Sequence, residues 1–308
     1  MKRAAGIDCG TNSIRLLVAD SAHDGSLLDL HREMRVVRLG QDVDRTGQLA
    51  PDALERTRVA LVDYAAIVAG LGAPPVRMVA TSATRDAANR AEFVDMVQAV
   101  LGVEPEVISG HEEAALSFAG AVAGLPGVTG PLLVADIGGG STELVLGSSD
   151  GGDPLRAYSM DVGCVRMTER HLRDDPPTAL QIDATVADLE QALTAARTEV
   201  PLDSAATLVG VAGTVTTIAA IALDLAEYDA EVIHGSRITA EQVEQITARL
   251  LCLTHDQRAA LPVMHPGRVD VIAGGALVLR TLMRECHAPA VIASEHDILD
   301  GIVLSVLG

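Results

Sequence analysis

The chain has 308 residues, of which 42 are acidic and 23 are basic, so its net charge is −19. Hydrophobic residues make up 48 % of the chain, which is enough for a packed core and excludes a disordered protein. Aromatic residues make up only 2 %. Because stacking side chains and a cationic surface are both lacking, nucleic acid is excluded as a partner.

The apolar patterns predict strands and helices that alternate along the chain. In the first part, strands are predicted at 4–9, 14–20, 76–81 and 107–108, and helices at 51–71, 89–101 and 112–123. In the second part, strands are predicted at 132–137, 142–146, 207–212 and 290–293, and helices at 178–198, 215–227, 239–253 and 298–307. This alternation is typical of an α/β fold with buried sheets.

A short segment rich in Gly and Pro divides the chain. Residues 124–130 contain three Gly and one Pro, which predicts a hinge between two domains. The expected domains are 1–126 and 127–308. The last helix, 298–307, is expected to pack back on the first domain.

One uncharged stretch raises the question of a membrane span. It extends from Ser204 to Leu223, but its Gly and Thr residues favour a buried strand, a Gly loop and the start of a helix. No apolar signal-peptide core follows the N-terminus. The four cysteines form no CxxC pair and no metal-like spacing. A cytoplasmic protein with reduced thiols, no zinc site and no membrane partner is therefore expected.

Two Gly turns repeat at a distance of 128 residues, and both read Asp-x-Gly-x-x-Ser. The shift places Asp8, Gly10, Ser13 and Leu16 on Asp136, Gly138, Ser141 and Leu144. Each turn joins two predicted strands, so a duplication is the preferred interpretation. Gly lets a backbone approach an anion, Ser adds a hydroxyl donor, and the Asp can hold a cation or a water. The pair predicts two loops that bind one phosphate chain.

A third Gly cluster, residues 210–214, follows an apolar strand and leads into a helix whose N-terminus suits an anion. By itself this signal is weak, because many Gly loops bind nothing.

Together these stretches resemble one family. The matching segments are GIDCGTNSIRLL at 6–17, VRLG at 37–40 with TG at 46–47, ATSATR at 80–85, ISGHEEA at 108–114, DIGGGSTE at 136–143, GVAGT at 210–214, and Arg268 with AG at 273–274. They resemble the exopolyphosphatase/guanosine pentaphosphate phosphatase family of the actin-like superfamily. The resemblance implies two actin-like (ribonuclease H-like) domains with a cleft between them. It also implies a homodimer.

The resemblance further implies a hydrolase that uses Mg²⁺ to release a terminal phosphate from inorganic polyphosphate or from guanosine pentaphosphate. Glu113 matches the family's catalytic base, which activates the attacking water. Asp136 and Glu143 match the acidic positions that work with the metal and the water, and Glu143 is therefore also a catalytic candidate. Their oxygens suit Mg²⁺. From the residues alone, Glu112 and Glu113 would more readily be read as a solvated helix start.

The same resemblance implies the phosphate-binding residues. They are Gly10, Thr11, Asn12, Ser13, Arg15 and Arg85 in the first part of the chain, and Gly138, Gly139, Ser141, Gly213 and Thr214 in the second. Arg suits phosphate because its planar fork can bind two oxygens. For Arg38, Arg166 and Arg268 the sequence leaves a phosphate-binding role and a structural role equally open.

The chain departs from the family near its end. The family often has a Gly-Leu-Arg-x-Gly-like segment, whereas residues 294–301 read SEHDILDG and lack the Arg. The chain stops at residue 308, without the further helical domains of longer relatives. Short polyphosphate chains are therefore the expected substrate.

Other functions remain open from the sequence. Guanosine pentaphosphate is the first alternative substrate, and the low aromatic content weighs against it because little is present to stack on guanine. A nucleotide-binding regulator that does not hydrolyse is a second alternative, against which Glu113 and Glu143 argue. A sugar or acetate kinase is more remote, because no acceptor-binding sequence is recognisable.

Overall fold

The computed structural model describes residues 2–22, 25–72, 74–123, 125, 128, 130–148 and 155–308. The chain divides into two compact units, each with its own sheet. Unit 1 comprises Met1–Gly124 and Asp297–Gly308, and unit 2 comprises Leu125–His296. Four of the seven residues of the predicted hinge at 124–130 lie outside the described residues.

Unit 1 is built on a five-stranded sheet. Its strands are β1 (Arg3–Cys9), β2 (Ser13–Ser21), β3 (Leu27–Val36), β4 (Val76–Ala80) and β5 (Glu106–Val107). Its first five helices are α1 (Val43–Thr46), α2 (Pro51–Gly70), α3 (Ser82–Asp86), α4 (Arg90–Leu101) and α5 (Gly110–Ala123). The strand order is β3-β2-β1-β4-β5. The pairs β1–β2 and β2–β3 are antiparallel, whereas β1–β4 and β4–β5 are parallel.

Unit 2 is built on a six-stranded sheet. Its strands are β6 (Pro131–Ile137), β7 (Thr142–Ser148), β8 (Arg156–Met160), β9 (Thr207–Val211), β10 (Arg237–Thr239) and β11 (Ala290–Ala293). Its helices are α6 (Cys164–His171), α7 (Ala179–Ala196), α8 (Ala212–Ala222), α9 (Ala230–Ile233), α10 (Ala240–Cys252), α11 (His255–Ala259) and α12 (Ile272–Glu285). Two 3₁₀ turns, Leu202–Ser204 and Pro266–Arg268, complete the unit.

The second sheet repeats the pattern of the first. Its order is β10-β11-β9-β6-β7-β8, so β8-β7-β6-β9-β11 corresponds to β3-β2-β1-β4-β5. The pairs β6–β7 and β7–β8 are again antiparallel, and β6–β9 and β9–β11 are again parallel. The two α/β units therefore share one sheet pattern, in agreement with the duplication that the repeated Gly turns predict.

After unit 2 the chain returns to unit 1 in its last helix, α13 (Ile298–Leu307). Leu299 and Val303 of this helix pack with Ala4, Leu17 and Ala19 on the strands β1 and β2. The opposite face of β1 faces the core under α2 and α4. Because both faces of β1 are covered, the strand is almost continuously apolar. The last twelve residues, 297–308, thus belong to the same unit as β1 and β2.

The helices α5 and α13 cross at two glycines. A methyl group at Gly120 would overlap the backbone of Asp297, and one at Gly301 would overlap the backbone of Leu116. Backbone that is packed this closely cannot yield to a side chain without a shift of a whole helix. The crossing therefore fixes the start of α13 against α5.

We expect Gly120→Ala to lower the free energy of unfolding by about 1–3 kcal/mol, because the added methyl group overpacks the crossing. Gly70→Ala at the end of α2 is the matched control, since a methyl group there would meet no atom of another element within 4 Å. Urea unfolding of both variants measures the effect. Equal stabilities of the two variants would contradict the close crossing.

Several elements were not predicted from the sequence. Strand β3 carries many charged residues and lies at the edge of its sheet, so it shows no apolar alternation. Helix α12 is buried over nearly its whole length, which removes the amphipathic periodicity. Strand β8 and helix α6 are short.

The uncharged stretch from Ser204 to Leu223 contains β9 and α8, as the sequence predicts. No helix among the described residues combines the length and the apolar character that crossing a bilayer requires.

Candidate active site

The first Gly turn joins β1 to β2 in a tight hairpin. The Gly10 amide donates to the Ser13 carbonyl oxygen at 3.0 Å, which closes the turn. The Thr11 hydroxyl is 2.9 Å from the Ser82 hydroxyl at the start of α3. The turn is therefore tied to the end of the neighbouring parallel strand, β4.

A second segment supports this turn. The amides of Val37 and Arg38 donate to the Asn12 carbonyl oxygen, and the Gly40 amide donates to that of Thr11 at 2.8 Å. A methyl group at Gly40 would overlap the Thr11 side chain, so only Gly allows this approach. The peptide groups of the loop are therefore held in one orientation by residues 37–40.

Arg15 lies opposite Asp8 in the β1–β2 register, so both side chains lie on the same face of the sheet. Its Nε and Nη2 donate to Asp8 Oδ2 at 3.0 and 2.6 Å, and its Nη1 donates to Asp297 Oδ2. The family resemblance implies that Arg15 is a cation for phosphate. In the structure all three guanidinium nitrogens bind these two carboxylates.

Asp8 is 4 % exposed. Burial raises the pKa of its carboxyl above the usual value, and the charge of Arg15 opposes that rise. Among the described residues, no hydrogen-bond partner reaches its second oxygen, Oδ1. A buried carboxylate oxygen without a partner is costly and points to a ligand or water at this position.

The two glutamates at the start of α5 have different environments. Glu112 is exposed and accepts a hydrogen bond from Arg77 at 2.9 Å, as expected of a solvated helix start. Glu113 is buried, and Arg85 Nη1 donates to its Oε2 at 3.0 Å. The same Arg85 nitrogen donates to the carbonyl oxygen of Ile108, also at 3.0 Å. The side chain of Arg85 is thus fixed between α3 and the start of α5.

Helix α3 connects the first Gly turn with Glu113, the candidate base of unit 1. Ser82 at its start contacts Thr11 of the Gly turn, and Arg85 one turn later holds Glu113. The helix is only five residues long, so these contacts are close together. Unit 1 therefore brings the first loop and the candidate base to the same end of its sheet.

The second Gly turn has the geometry of the first. The Gly138 amide donates to the Ser141 carbonyl oxygen at 3.0 Å. Asp136 and Glu143 are paired across β6 and β7, and both are buried. The Ser159 hydroxyl donates to Glu143 Oε1 at 2.7 Å. At a shift of 128, Glu143 takes the position of Arg15, so the two loops carry opposite charges beside the shared Asp.

The N-terminus of α6 supports the second turn. The amide of Cys164 donates to the Gly138 carbonyl oxygen, and the amides of Val165 and Arg166 donate to that of Gly139. The Arg166 Nε donates to the Gly140 carbonyl oxygen at 2.6 Å. All three carbonyl groups of the glycine run are therefore bound by one helix start.

Gly163 makes this support possible. A methyl group there would lie 2.5 Å from the Gly139 carbonyl oxygen. Gly163 was not singled out from the sequence, although a Gly directly before a helix is a recognisable N-cap signal. Its packing partner is 24 residues away, and no local pattern indicates that partner.

The third Gly cluster leads from β9 into α8, as predicted. Arg268 Nη1 donates to the Gly213 carbonyl oxygen at 2.9 Å and to the Thr217 hydroxyl at 2.8 Å. A methyl group at Gly213 would overlap the Arg268 guanidinium. Ala212 has a φ of 67°, a left-handed conformation that is strained for a residue with a side chain. Arg268 therefore supports the third loop as Arg166 supports the second.

Cys164 and Thr214 connect the second and third loops of unit 2. The two side chains interact, and a methyl group at Gly275 of α12 would meet both of them. Burial raises the pKa of the Cys164 thiol to about 11 and also raises that of Cys9. Neither thiol is therefore an ionised nucleophile at neutral pH.

Asp136 and Glu143 fit a divalent cation. They are buried carboxylates on neighbouring strands, and their side chains lie on the same face of the sheet. Mg²⁺ is commonly held by one or two carboxylates, with water and substrate oxygens as further ligands. Within the described ranges, no group of three or more His, Cys, Asp or Glu side chains is placed to hold a metal ion.

Comparisons with known sequences show the family to which the chain is similar. The sequence profile of the Ppx/GppA phosphatase family matches residues 17–308. Exopolyphosphatase 2 of Mycobacterium tuberculosis is 50 % identical over 320 aligned residues, which cover 100 % of this chain and 99 % of that protein.

Two solved structures that are similar to this chain cover nearly all of it. A crystal structure of an exopolyphosphatase-like protein has a TM-score of 0.93 and 45 % identity, and covers 99 % of this chain and 98 % of the other. The Ppx/GppA family member of Aquifex aeolicus has a TM-score of 0.81 and 29 % identity, and covers 99 % of this chain and 97 % of the other.

Proposed function

Because this chain belongs to the Ppx/GppA phosphatase family, we propose that it is an exopolyphosphatase, a hydrolase that releases terminal phosphate from inorganic polyphosphate. The observation that carries the proposal is the 50 % identity over the whole chain with a protein named Exopolyphosphatase 2. The predicted preference for short chains is part of the proposal.

In the proposed reaction Glu113 takes a proton from the attacking water. It is buried next to Arg85, so its carboxylate is held in one position by a charge-assisted hydrogen bond. A general base has to lie within hydrogen-bond reach of the proton that it removes, and a fixed carboxylate meets that condition best. Glu113 is therefore the proposed catalytic residue of unit 1.

Asp136 and Glu143 are proposed to hold a divalent cation, for which we propose Mg²⁺. The cation, when bound, neutralises charge on the phosphate oxygens. Ser159 donates to one Glu143 oxygen and so fixes the orientation of that carboxylate. We propose that Glu143 also orients the water.

The three Gly loops are proposed to bind the phosphate groups through backbone amides and hydroxyl groups. The proposed residues are Gly10, Thr11, Asn12 and Ser13 in the first loop, Gly138, Gly139 and Ser141 in the second, and Gly213 and Thr214 in the third. The carbonyl oxygens of these loops accept hydrogen bonds from residues 37–40 in the first loop, from the start of α6 in the second and from Arg268 in the third. Such support lets the loops bind an anion without reorganisation.

We expect Arg166→Gln to lower kcat/KM for phosphate release by up to about 100-fold, because the second loop loses the hydrogen bond that orients Gly140. Arg170→Gln in the same helix is the control, since Arg170 pairs with Asp188 instead of the loop. Steady-state kinetics and thermal melts of both variants distinguish a misplaced second loop from an unfolded protein. Equal kcat/KM values in the two variants would remove Arg166 from the support of the loop.

The net charge of −19 repels a polyanionic substrate, so activity should depend on the divalent cation and on ionic strength. A cytoplasmic location and a homodimer belong to the same proposal. The location is expected from the cysteine pattern, and the homodimer is implied by the family resemblance.

The proposal is tested by measuring phosphate release from polyphosphate, guanosine pentaphosphate and ATP in parallel, each with and without Mg²⁺. We expect Mg²⁺-dependent release from polyphosphate, with higher kcat/KM for oligomers than for long chains. Preferential release from guanosine pentaphosphate would replace polyphosphate as the substrate. Binding of nucleotide without any release would indicate a regulator.

A further inference from the structure

The guanidinium of Arg15 donates hydrogen bonds to two different carboxylates. An arginine beside a single carboxylate commonly binds both oxygens through two parallel hydrogen bonds. Here Nε and Nη2 both donate to one oxygen of Asp8, and Nη1 donates to Asp297. The second oxygen, Asp8 Oδ1, is buried and receives no hydrogen bond from the described residues.

Asp297 is fixed in place by its own helix. It is the N-cap of α13: its Oδ1 accepts a hydrogen bond from the Leu299 amide at 3.0 Å. Its own amide donates to Asp300 at 3.1 Å, which completes a capping box. The other oxygen, Oδ2, is left for Arg15.

The rest of the helix start is equally constrained. Asp300 accepts hydrogen bonds from Arg32 of β3 at 2.5 and 3.2 Å. The glycine crossing holds the Asp297 backbone against α5. The position of the Asp297 carboxylate is therefore fixed, and the Arg15 side chain has to extend to that position to pair with it.

We propose that Asp297 is a positioning residue that draws Arg15 Nη1 to itself and so keeps Asp8 Oδ1 open for a divalent cation or for a water bound to it. The proposal rests on the metal-dependent hydrolysis proposed above and adds a residue from the last helix to it. Without Asp297, Arg15 is free to bind both Asp8 oxygens, and the first loop loses its open carboxylate oxygen.

The charges of the two loops support this role. In the second loop, Asp136 stands beside Glu143, so two carboxylates are available to the proposed cation. In the first loop, Asp8 stands beside Arg15, and that pair alone is neutral. Whether Asp8 Oδ1 is open to a cation therefore depends on where the Arg15 guanidinium points. Asp297, which binds one of its nitrogens, lies in the segment 294–301, where the sequence departs from the family pattern.

The test is Asp297→Asn, measured by calorimetric titration of the full chain with Mn²⁺ in the absence of substrate. Asn is as good an N-cap as Asp, so the change removes the charge but keeps the cap of α13. We expect the dissociation constant for Mn²⁺ to rise about 10-fold, the usual effect of a residue that orients a metal ligand.

Asp20→Asn is the control for the loss of one carboxylate that pairs with an arginine. Asp20 lies on β2, and its two oxygens accept hydrogen bonds from Arg3 and not from Arg15. We expect the affinity of Asp20→Asn for Mn²⁺ to equal that of the unchanged chain. Equal weakening in both variants, or no weakening in Asp297→Asn, would overturn the proposal.

A double variant distinguishes a role of Asp297 in positioning Arg15 from a direct effect of its charge on the cation. In Arg15→Gln no guanidinium remains to cover Asp8, so adding Asp297→Asn should leave the Mn²⁺ affinity unchanged. A further loss of affinity in the double variant would mean that Asp297 acts directly, against the proposal. If Asp297→Asn fails to fold, Arg15→Gln alone carries the test: without a guanidinium to cover Asp8, its affinity for Mn²⁺ should be no lower than that of the unchanged chain, and a loss of affinity would overturn the proposal. Because the titration contains no substrate, its result is independent of whether polyphosphate is hydrolysed.

Discussion

Glu113→Gln is expected to lower kcat for phosphate release by about 10²–10⁴-fold, the range that a general base contributes. Gln keeps the size of the side chain and can still accept a hydrogen bond from Arg85, but it cannot take a proton. KM should change little, because the phosphate-binding loops are untouched. Single-turnover assays with polyphosphate measure the loss at the chemical step.

Glu112→Gln is the matched control for this experiment. Glu112 precedes Glu113 in the same helix turn, but it is exposed and pairs with Arg77. Its substitution should leave kcat unchanged and alter stability by less than about 1 kcal/mol. Similar rates in Glu113→Gln and Glu112→Gln would exclude Glu113 as the base.

Arg85→Met is expected to lower kcat/KM by about 10²–10³-fold. Arg85 supplies the charged hydrogen bond that holds the buried Glu113 carboxylate. Removing one partner of such a pair leaves an uncompensated charge, which costs about 3–5 kcal/mol when the pair is fully buried. Since the Arg85 side chain is 24 % exposed, the lower end of that range applies.

A second substitution at the same position distinguishes this role from a merely structural one. Arg85→Lys restores the positive charge and should recover part of the lost kcat/KM, whereas Arg85→Met should not. Arg77→Gln, which breaks the surface pair with Glu106 and Glu112, is the control and should leave kcat/KM unchanged. If Arg85→Met in a chain that already carries Glu113→Gln lowers kcat/KM by the same factor as in the unchanged chain, Arg85 does not act through Glu113.

The repeated Gly turns could be predicted from the sequence because their geometry is local. The pattern Gly-x-x-Ser between two apolar strands is enough to specify a tight hairpin. The Gly10–Ser13 and Gly138–Ser141 hydrogen bonds, both 3.0 Å long, confirm that the two hairpins are equivalent. The α/β class followed from the same local patterns.

The environments of Glu112 and Glu113 could not be predicted in this way. Both are acidic residues in the first turn of α5, where the helix dipole favours either of them. The pairing of Glu113 depends on the position of Arg85 on the separate helix α3, which no pattern within α5 indicates. The family resemblance chose the same residue, but local patterning had favoured a solvated helix start.

The chain's sequence by itself determined the alternation of strands and helices, the two hairpins and the family, because these depend on periodicity and on residues that are close together. The tertiary structure alone decided which side chains form ion pairs and which backbone segments pack closely. Arg15 donates a hydrogen bond to Asp297, and Gly163 packs against the backbone of Gly139, although the partners lie in separate segments of the chain. Such contacts follow from how helices and strands pack, and packing is set by shape over the whole unit, which no local pattern encodes.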